Sequence, residues 1–452
     1  MREFRACLDE WVECREHCLC NVPLSVSTKG VNSLLSRERP AVCPRMLAFF
    51  LTQFHPIPEN DAWWGKGFTE WTNVAKALPL FDGHYQPHLP ADFGFYDLRV
   101  RETRREQISI AKQFGIDGFC YHYYWFSGKR LLYQPLDDML ADPHSDMPFC
   151  LCWANENWTR RWDAAEHEVL IAQQYLPDDD LNFIKGLIPF FSDRRYIRLD
   201  GAPVLVVYRP QHLPDPKKTA SIWRDFSRSA GVGEIHLCAA LTHGNEDYEQ
   251  FGFDSGVEFP PHNLMCENIA SQIPFHEVFR GRVHRYQAIA REYLERPRSQ
   301  RNVFRSVFPS WDNTPRTGNR GVVVLDATPA NYEYWLSESV RKTEEDFPGQ
   351  ERFVFINAWN EWAEGCHLEP DRRFQRQFLE ATLRVKNGRP IRKKFGAESK
   401  LLTHNNSQRT FLGDLGAVVI FHAFTSWGRL VAWVGRYPKI KRIVRWMLQR
   451  GN

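Results

Sequence analysis

Eight short, nearly unbroken apolar runs punctuate the chain, at 47–54, 118–125, 149–153, 204–208, 235–241, 255–259, 303–311 and 353–359. Continuous stretches of Val, Ile, Leu, Phe, Cys and Tyr predict parallel strands covered on both faces, because a strand with one wet face alternates instead. Between them polar residues return with helical spacing, over 100–114, 179–191, 217–230, 283–295, 330–345 and 372–386. Strand–helix alternation repeated in this way predicts an α/β fold, a (β/α)8 barrel of the TIM type over residues 45–390. A doubly wound open sheet is the structural alternative. No Gly-x-Gly-x-x-Gly or phosphate loop follows any of the runs, which counts against it.

The flanks lack this pattern. Residues 1–44 form an N-terminal extension with Cys7, Cys14, Cys18, Cys20, Cys43 and His17. The spacing Cys14-x3-Cys18-x-Cys20 is not that of a standard zinc motif, so a loosely docked arm is expected. A polar linker, 391–409, leads to a tail at 410–452. Its apolar part is broken by Asp414, His422 and Arg429, too often for a membrane span. Arg436, Lys439, Lys441, Arg442, Arg445 and Arg450 then interleave with Trp433, Tyr437 and Trp446. That pattern fits a peripheral contact with an anionic membrane surface, and equally a helix pair packed on the barrel exterior.

Composition narrows the function classes. A net charge of +3 over 452 residues gives no reason to expect nucleic acid as a partner. Aromatic residues make up 14%, with 16 Trp, which suits a carbohydrate cleft and also a large aromatic core. Of the 11 cysteines, Cys120, Cys150, Cys152 and Cys238 fall inside apolar runs, as small buried hydrophobes do. With no apolar segment at the N-terminus resembling a signal peptide, a reducing cytoplasmic setting is expected, with the tail on the inner membrane face if it binds there.

In a barrel the chemistry gathers at the C-terminal strand ends. After the first run come His55 and then Glu70 and Trp71; in the second, Tyr123 and Trp125; after the third, Trp153, Asn155, Glu156 and Trp158. Tyr208 and Arg209 follow the fourth, Glu258 and His262 the sixth, and Trp311, Asp312 and Arg316 the seventh. Trp359, Asn360, Glu361, Trp362 and Glu364 follow the eighth. A tryptophan face takes the C–H face of a pyranose while carboxylates reach its oxygens. A single Trp at a strand end is more often packing, and a lone Glu a satisfied structural acid; repetition across strand ends favours a site.

Two Asn-Glu pairs stand out, Asn155-Glu156 and Asn360-Glu361. The asparagine of such a pair can orient a sugar hydroxyl while the glutamate moves a proton. Two assignments follow: Glu361 and Glu364 working together, or Glu156 as rival acid opposite Glu361 as nucleophile. No His-x-x-x-His or compact His/Asp/Glu cluster signals a metal, and no cofactor is expected. Asp178-Asp-Asp180 is explained by capping at a helix start.

Four segments carry a family resemblance: Gln53-Phe-His-Pro-Ile-Pro-Glu-Asn, Trp63-Trp-Gly-Lys-Gly-Phe-Thr-Glu-Trp-Thr-Asn, Trp153-Ala-Asn-Glu-Asn-Trp-Thr-Arg-Arg-Trp and Ala358-Trp-Asn-Glu-Trp-Ala-Glu-Gly-Cys-His-Leu-Glu-Pro. In order over residues 47–387, they resemble the WbsX family, named as glycosyltransferases of bacterial surface-polysaccharide and lipopolysaccharide biosynthesis. The Glu-Trp-x-Glu-Gly segment is similar in turn to glycoside hydrolase family 99, the endo-α-mannosidases. The resemblance implies a (β/α)8 fold and a retaining, metal-independent mechanism on mannose-type substrates. It implies that Glu361 removes the proton of the sugar's own 2-hydroxyl, whose oxygen attacks the anomeric carbon to give an anhydro-sugar. Glu364 is implied as the acid/base at the leaving oxygen. Ala363 stands where the hydrolases commonly have His.

Three functions stay open on the sequence: cleavage of an internal glycosidic bond in a bacterial polysaccharide, transfer that builds such a polysaccharide or a lipid-linked oligosaccharide, and a non-catalytic glycan-binding barrel.

Overall fold

The computed structural model describes residues 43–160, 165–296, 302–348, 350–389 and 394–399. The expectations for the tail, most of the linker and nearly all of the extension lie outside them. Eight parallel strands form the barrel: β1 (Arg45–Phe50), β2 (Gly118–Phe126), β3 (Phe149–Trp153), β4 (Ala202–Val207), β5 (His236–Leu241), β6 (Ser255–Glu258), β7 (Val303–Val307) and β8 (Phe353–Ile356). Each pairs with its neighbours in chain order, and β1 pairs with both β2 and β8, so the sheet closes. Leu47 lies opposite Gly118 on one side and Phe355 on the other. A closed sheet has no edge to protect, and both faces of its strands are dry. The strand interiors are buried, as in the unbroken burial of β3 and β8. Cys120, Cys150, Cys152 and Cys238 are free and buried there. Phe49 meets Phe259 at 4.6 Å and Phe355 at 5.3 Å.

Helices cover the barrel. The connection after β1 contains α1 (Pro58–Trp64), α2 (Glu70–Lys76) and α3 (Arg101–Gln113). Then come α4 (Gln134–Ala141), α5 (Asp179–Phe191), α6 (Pro216–Ser229), α7 (Tyr286–Glu295), α8 (Thr314–Thr317), α9 (Pro329–Asp346) and α10 (Gln377–Lys386). Pro216 and Pro329 occupy first turns, where their missing N–H groups cost nothing. The Asp215 carboxylate and Thr328 hydroxyl accept from Lys218 N and Asn331 N, so both starts are capped. At α5 the acidic run does mark the helix start. Asp179 accepts from Leu176 N at 2.9 Å, and the cap residue Asp178 makes no side-chain cap bond.

The structure revises several expected elements. The helix expected over 283–295 begins as a strand, Arg282–Arg285, which pairs in parallel with Val322–Leu325 outside the barrel. Here Val283 and Val323 belong to a small separate core with Phe81 and Ile269. The last helix starts at Gln377, after a turn, rather than near 372. Between β5 and β6 there is only a single turn, Glu249–Phe251. The expected strand 303–311 stops at Val307, leaving Trp311 free of the sheet to face a cavity. Among the described residues no helix is long and apolar enough to cross a membrane.

Candidate active site

β8 ends in a short antiparallel hairpin, Asn360–Glu361 paired with Cys366–His367, whose turn is Trp362–Glu364. Gly365 closes that turn at φ 56°, and a Cβ there would lie 3.0 Å from Asp312 N. Only glycine combines that dihedral with so close an approach. Asp312 N donates to the Glu364 carbonyl at 2.7 Å, and Ser310 Oγ donates to the Gly365 carbonyl at 2.6 Å. The β7 end thus holds the turn in place, with Glu361 and Glu364 facing one cavity.

That cavity measures about 310 Å³ and lies over the strand ends. Its wall includes Gln53, His122, Tyr124, Glu156, Trp158, Tyr208, His262, Trp311, Arg316, Glu361 and Glu364. The volume is at the lower end of small-molecule sites, and the mixture of flat aromatic rings with a few convergent polar groups is typical of them.

Arg316, on α8, organises the charge. Its Nη2 donates to Glu361 at 2.8 Å and its Nη1 to Glu364 at 2.6 Å. Nε and Nη2 also donate to one oxygen of Glu70, at 3.1 and 2.9 Å. Burial pushes Glu361 up, to about 8; Arg316 opposes this and Glu364 and Glu70 add to it. Burial pushes Glu364 up as well, against the pull of Arg316. Two adjoining carboxyl groups so raised hold a proton between them at neutral pH, and their titration belongs to the pair. One member can then donate a proton while the other accepts one. Burial also holds His122 down, to about 4, with Arg316 acting in the same direction, so its ring is neutral. Glu156 is engaged by Arg209. Tyr208 Oη and His262 Nε2 lie 3.1 Å apart.

The profile of the family described as Glycosyltransferase WbsX matches residues 46–382. The chain belongs to this family. Two proteins from Xanthomonas campestris pv. campestris, strains B100 and ATCC 33913, are 47% identical over 338 residues. Each is named uncharacterized protein WxcX; the match covers 75% of this chain, and the chain spans about half the length of these curated relatives, 49%. Among solved structures, a glycoside hydrolase family 99 endo-alpha-mannosidase from Bacteroides thetaiotaomicron aligns with TM-score 0.47 at 12% identity. That alignment covers 76% of this chain and 97% of the other. A glycoside hydrolase-like protein aligns with TM-score 0.46 at 14% identity, over 81% and 97%.

In this WbsX-family barrel the residues singled out from sequence separate into groups. Glu361, Glu364, Glu156, Trp158, Tyr208 and Trp311 line the cavity together. Arg209 supports the wall through Glu156. Glu70 is fully buried beneath Arg316, and Trp71 packs behind it on Trp362 at 5.5 Å, so neither reaches a ligand in the cavity. Tyr123, Trp125 and Trp153 point outward against α5: Trp153 meets Phe183 at 4.2 Å and Tyr123 meets it at 6.0 Å. Their period-two spacing with the cavity-facing His122 and Tyr124 explains this. Trp359 is buried on the outer face of the barrel wall, against Phe119 at 5.2 Å. His55 is buried away from the cavity wall. Asp312 accepts from Gln86 at 2.7 Å and pairs with His84 at 2.6 Å behind the site. Trp362 stacks on His367 at 3.8 Å and donates to Glu369 at 2.6 Å. Asn155 and Asn360 face backbone, not the cavity.

Arg316 is the residue that sequence reading left without a role. Its signal was an arginine shortly after a strand end rich in Trp and Asp, too common to single out. Among the described residues, His88, His367 and Asp371 form the one group that could hold a metal ion, with ligand atoms within 4.8 Å of one another. His367 Nδ1 donates to the Glu369 carbonyl at 2.9 Å, leaving Nε2 to accept from His88 Nδ1 at 2.9 Å. The facing ring nitrogens therefore satisfy each other as neutral imidazoles, both held down by burial.

Proposed function

We propose that this protein is a retaining enzyme acting on glycosidic bonds of a bacterial surface polysaccharide or its lipid-linked precursor, with Glu361 and Glu364 as its working pair. The observation that carries the reading is the buried Arg316 guanidinium shared by two carboxylates at the floor of an aromatic cavity. In the first step Glu361 takes the 2-hydroxyl proton, O2 bonds to C1, and the C1–oxygen bond breaks as Glu364 protonates the leaving oxygen. In the second, water or an acceptor hydroxyl gives its proton to Glu364 and bonds to C1; the C1–O2 bond breaks and Glu361 returns its proton to O2. Two inversions give retention.

A donor that is itself a glycan is favoured over a nucleotide sugar. A diphosphate calls for uncommitted cationic donors. Among the described residues lining the cavity, Arg316 is the one Lys or Arg, and its N–H groups point to three carboxylates. Water as acceptor makes the enzyme an endo-glycosidase; a sugar hydroxyl makes it a transglycosidase of polysaccharide assembly.

The test is incubation of the full chain with surface polysaccharide or lipid-linked oligosaccharide, with and without nucleotide sugars. Shortened chains support hydrolysis, and products lengthened without nucleotide sugar support transglycosylation. Lengthening that requires nucleotide sugar, or glycan bound but unaltered, overturns the proposal.

A further inference from the structure

We propose that Glu70 is a positioning residue, whose buried carboxylate occupies the Nε and Nη2 edge of Arg316 and so fixes that guanidinium between Glu361 and Glu364. The inference rests on the reading of those two glutamates given above. An arginine left to itself forms a two-pronged pair with one carboxylate, using two parallel N–H groups. Here the Oε2 atom of Glu70 takes both Nε and Nη2, at 3.1 and 2.9 Å. That leaves one bond from Nη2 to Glu361 and one from Nη1 to Glu364, so neither is gripped twice. Each keeps a lobe free to exchange a proton.

Glu70 is built to do this. It is 0% exposed, so neither a sugar nor bulk solvent reaches it, and its other oxygen meets no hydrogen-bond partner among the described residues. It begins α2, where its backbone N–H donates to the Gln53 carbonyl at 3.3 Å. The next residue, Trp71, anchors the helix by donating from Nε1 to the Tyr96 carbonyl at 2.8 Å and by packing on Trp362. Three carboxylates then surround one guanidinium in a dry site. A buried carboxylate without full compensation is costly, so the cluster retains a proton. Glu70 contributes to this by raising both Glu361 and Glu364. Among the described residues, the other titratable groups facing the cluster are Tyr124 from β2, Tyr208 after β4, Glu156 near Glu364, Cys366 of the hairpin, and His122, which is neutral beside Arg316.

The test is the pH profile of kcat for Glu70→Gln and Glu70→Asp on the turned-over glycan, beside wild type and Glu361→Gln. Loss of the Glu70 charge, with Arg316 released toward the pair, lowers the pKa of the acid. The alkaline limb of Glu70→Gln is expected to move down by about one unit. Above it kcat falls about tenfold for each unit of displacement, since the protonated fraction sets the rate, while KM holds. Glu70→Asp is expected to keep the limb and lose kcat. A folded Glu70→Gln enzyme with the wild-type limb overturns the proposal. If that variant does not fold, Glu70→Asp decides: reduced kcat at wild-type KM supports it, and wild-type kcat overturns it. Undiminished turnover by Glu361→Gln sinks the underlying reading instead, a separate outcome.

Discussion

The side chain of Asn360 pairs with the backbone of Leu51 as another strand would: Oδ1 accepts from Leu51 N at 2.7 Å, and Nδ2 donates to Leu51 O at 3.0 Å. Asn155 repeats the arrangement with Arg209, accepting from its N at 2.7 Å and donating to its O at 2.8 Å. Both asparagines are 0% exposed. One extends the β8–β1 ladder and the other the β3–β4 ladder, a step past the last regular pair. Each is followed by a glutamate that enters the cavity. The Asn-Glu dipeptide is therefore a backbone clamp with a cavity-facing carboxyl group attached, and its asparagine side chain is spent on backbone.

Truncating the clamp should separate stability from chemistry. Asn360→Ala leaves Leu51 N and O buried without the partners they have now, each costing about 1–3 kcal/mol, so a loss of about 2–6 kcal/mol is expected in chemical denaturation. kcat should fall as well, because Glu361 loses its anchor. Asn155→Ala should show a comparable stability loss with a smaller effect on kcat, since Glu156 is also held by Arg209. Equal stability of wild type and both variants would show that the clamps are ornamental.

Glu361→Gln and Glu364→Gln should each lower kcat by about 10²–10⁴-fold, the range for a positioned acid or base. Melting temperatures should hold or rise, because each change removes a buried carboxylate from a crowded cluster. Glu156→Gln is expected to raise KM while leaving most of kcat. A collapse of kcat in Glu156→Gln with survival in Glu364→Gln would move the acid role across the cavity.

Much of the barrel was legible because its strands are dry on both faces, which leaves long apolar runs that nothing else explains. The helix ends at Asp179 and Phe191 were readable for a related reason: an acidic start and an apolar face agree. What stayed hidden depends on direction, not composition. Trp153 and Trp158 look equivalent in sequence, yet one packs under α5 and the other lines the cavity. The value of Arg316 lies in meeting Glu70, 246 positions away, which no local pattern encodes. Val283 was misplaced because an apolar residue just before a helix fits both the helix period and a short strand.

That contrast between tryptophans is measurable. Trp153→Ala opens a void against Phe183 and Trp125 and should cost about 3–5 kcal/mol with KM near wild type. Trp158 is only half-buried, edge-on to Tyr124 at 5.4 Å and Trp63 at 5.8 Å. Its replacement by Ala should raise KM for glycan with a much smaller loss of stability. The reverse pattern would place the sugar on the outer side of the barrel wall.

Stability should be greatest at mildly acidic pH and fall on both sides. Burial raises Glu361 to about 8 and Glu369 to about 7, from ordinary values near 4.5. Between 4.5 and those values the folded state holds protons that the unfolded chain has released, so stability drops as pH rises. Burial lowers His55 and His122 to about 4 and His88 to about 3, from 6.5. Below 6.5 the unfolded chain takes up protons that the fold refuses, so stability drops as pH falls. The two effects oppose each other between 4.5 and 6.5; outside that window each acts unopposed, at about 1.4 kcal/mol per pH unit for each group. Melting temperature measured from pH 3.5 to 8.5 should therefore trace a dome. Glu361→Gln should flatten its alkaline side and leave the acid side in place. A melting temperature that keeps climbing between pH 6.5 and 8 would show that these carboxyl groups are ionised in the folded protein, and the shared proton on which the catalytic reading depends would be lost with it.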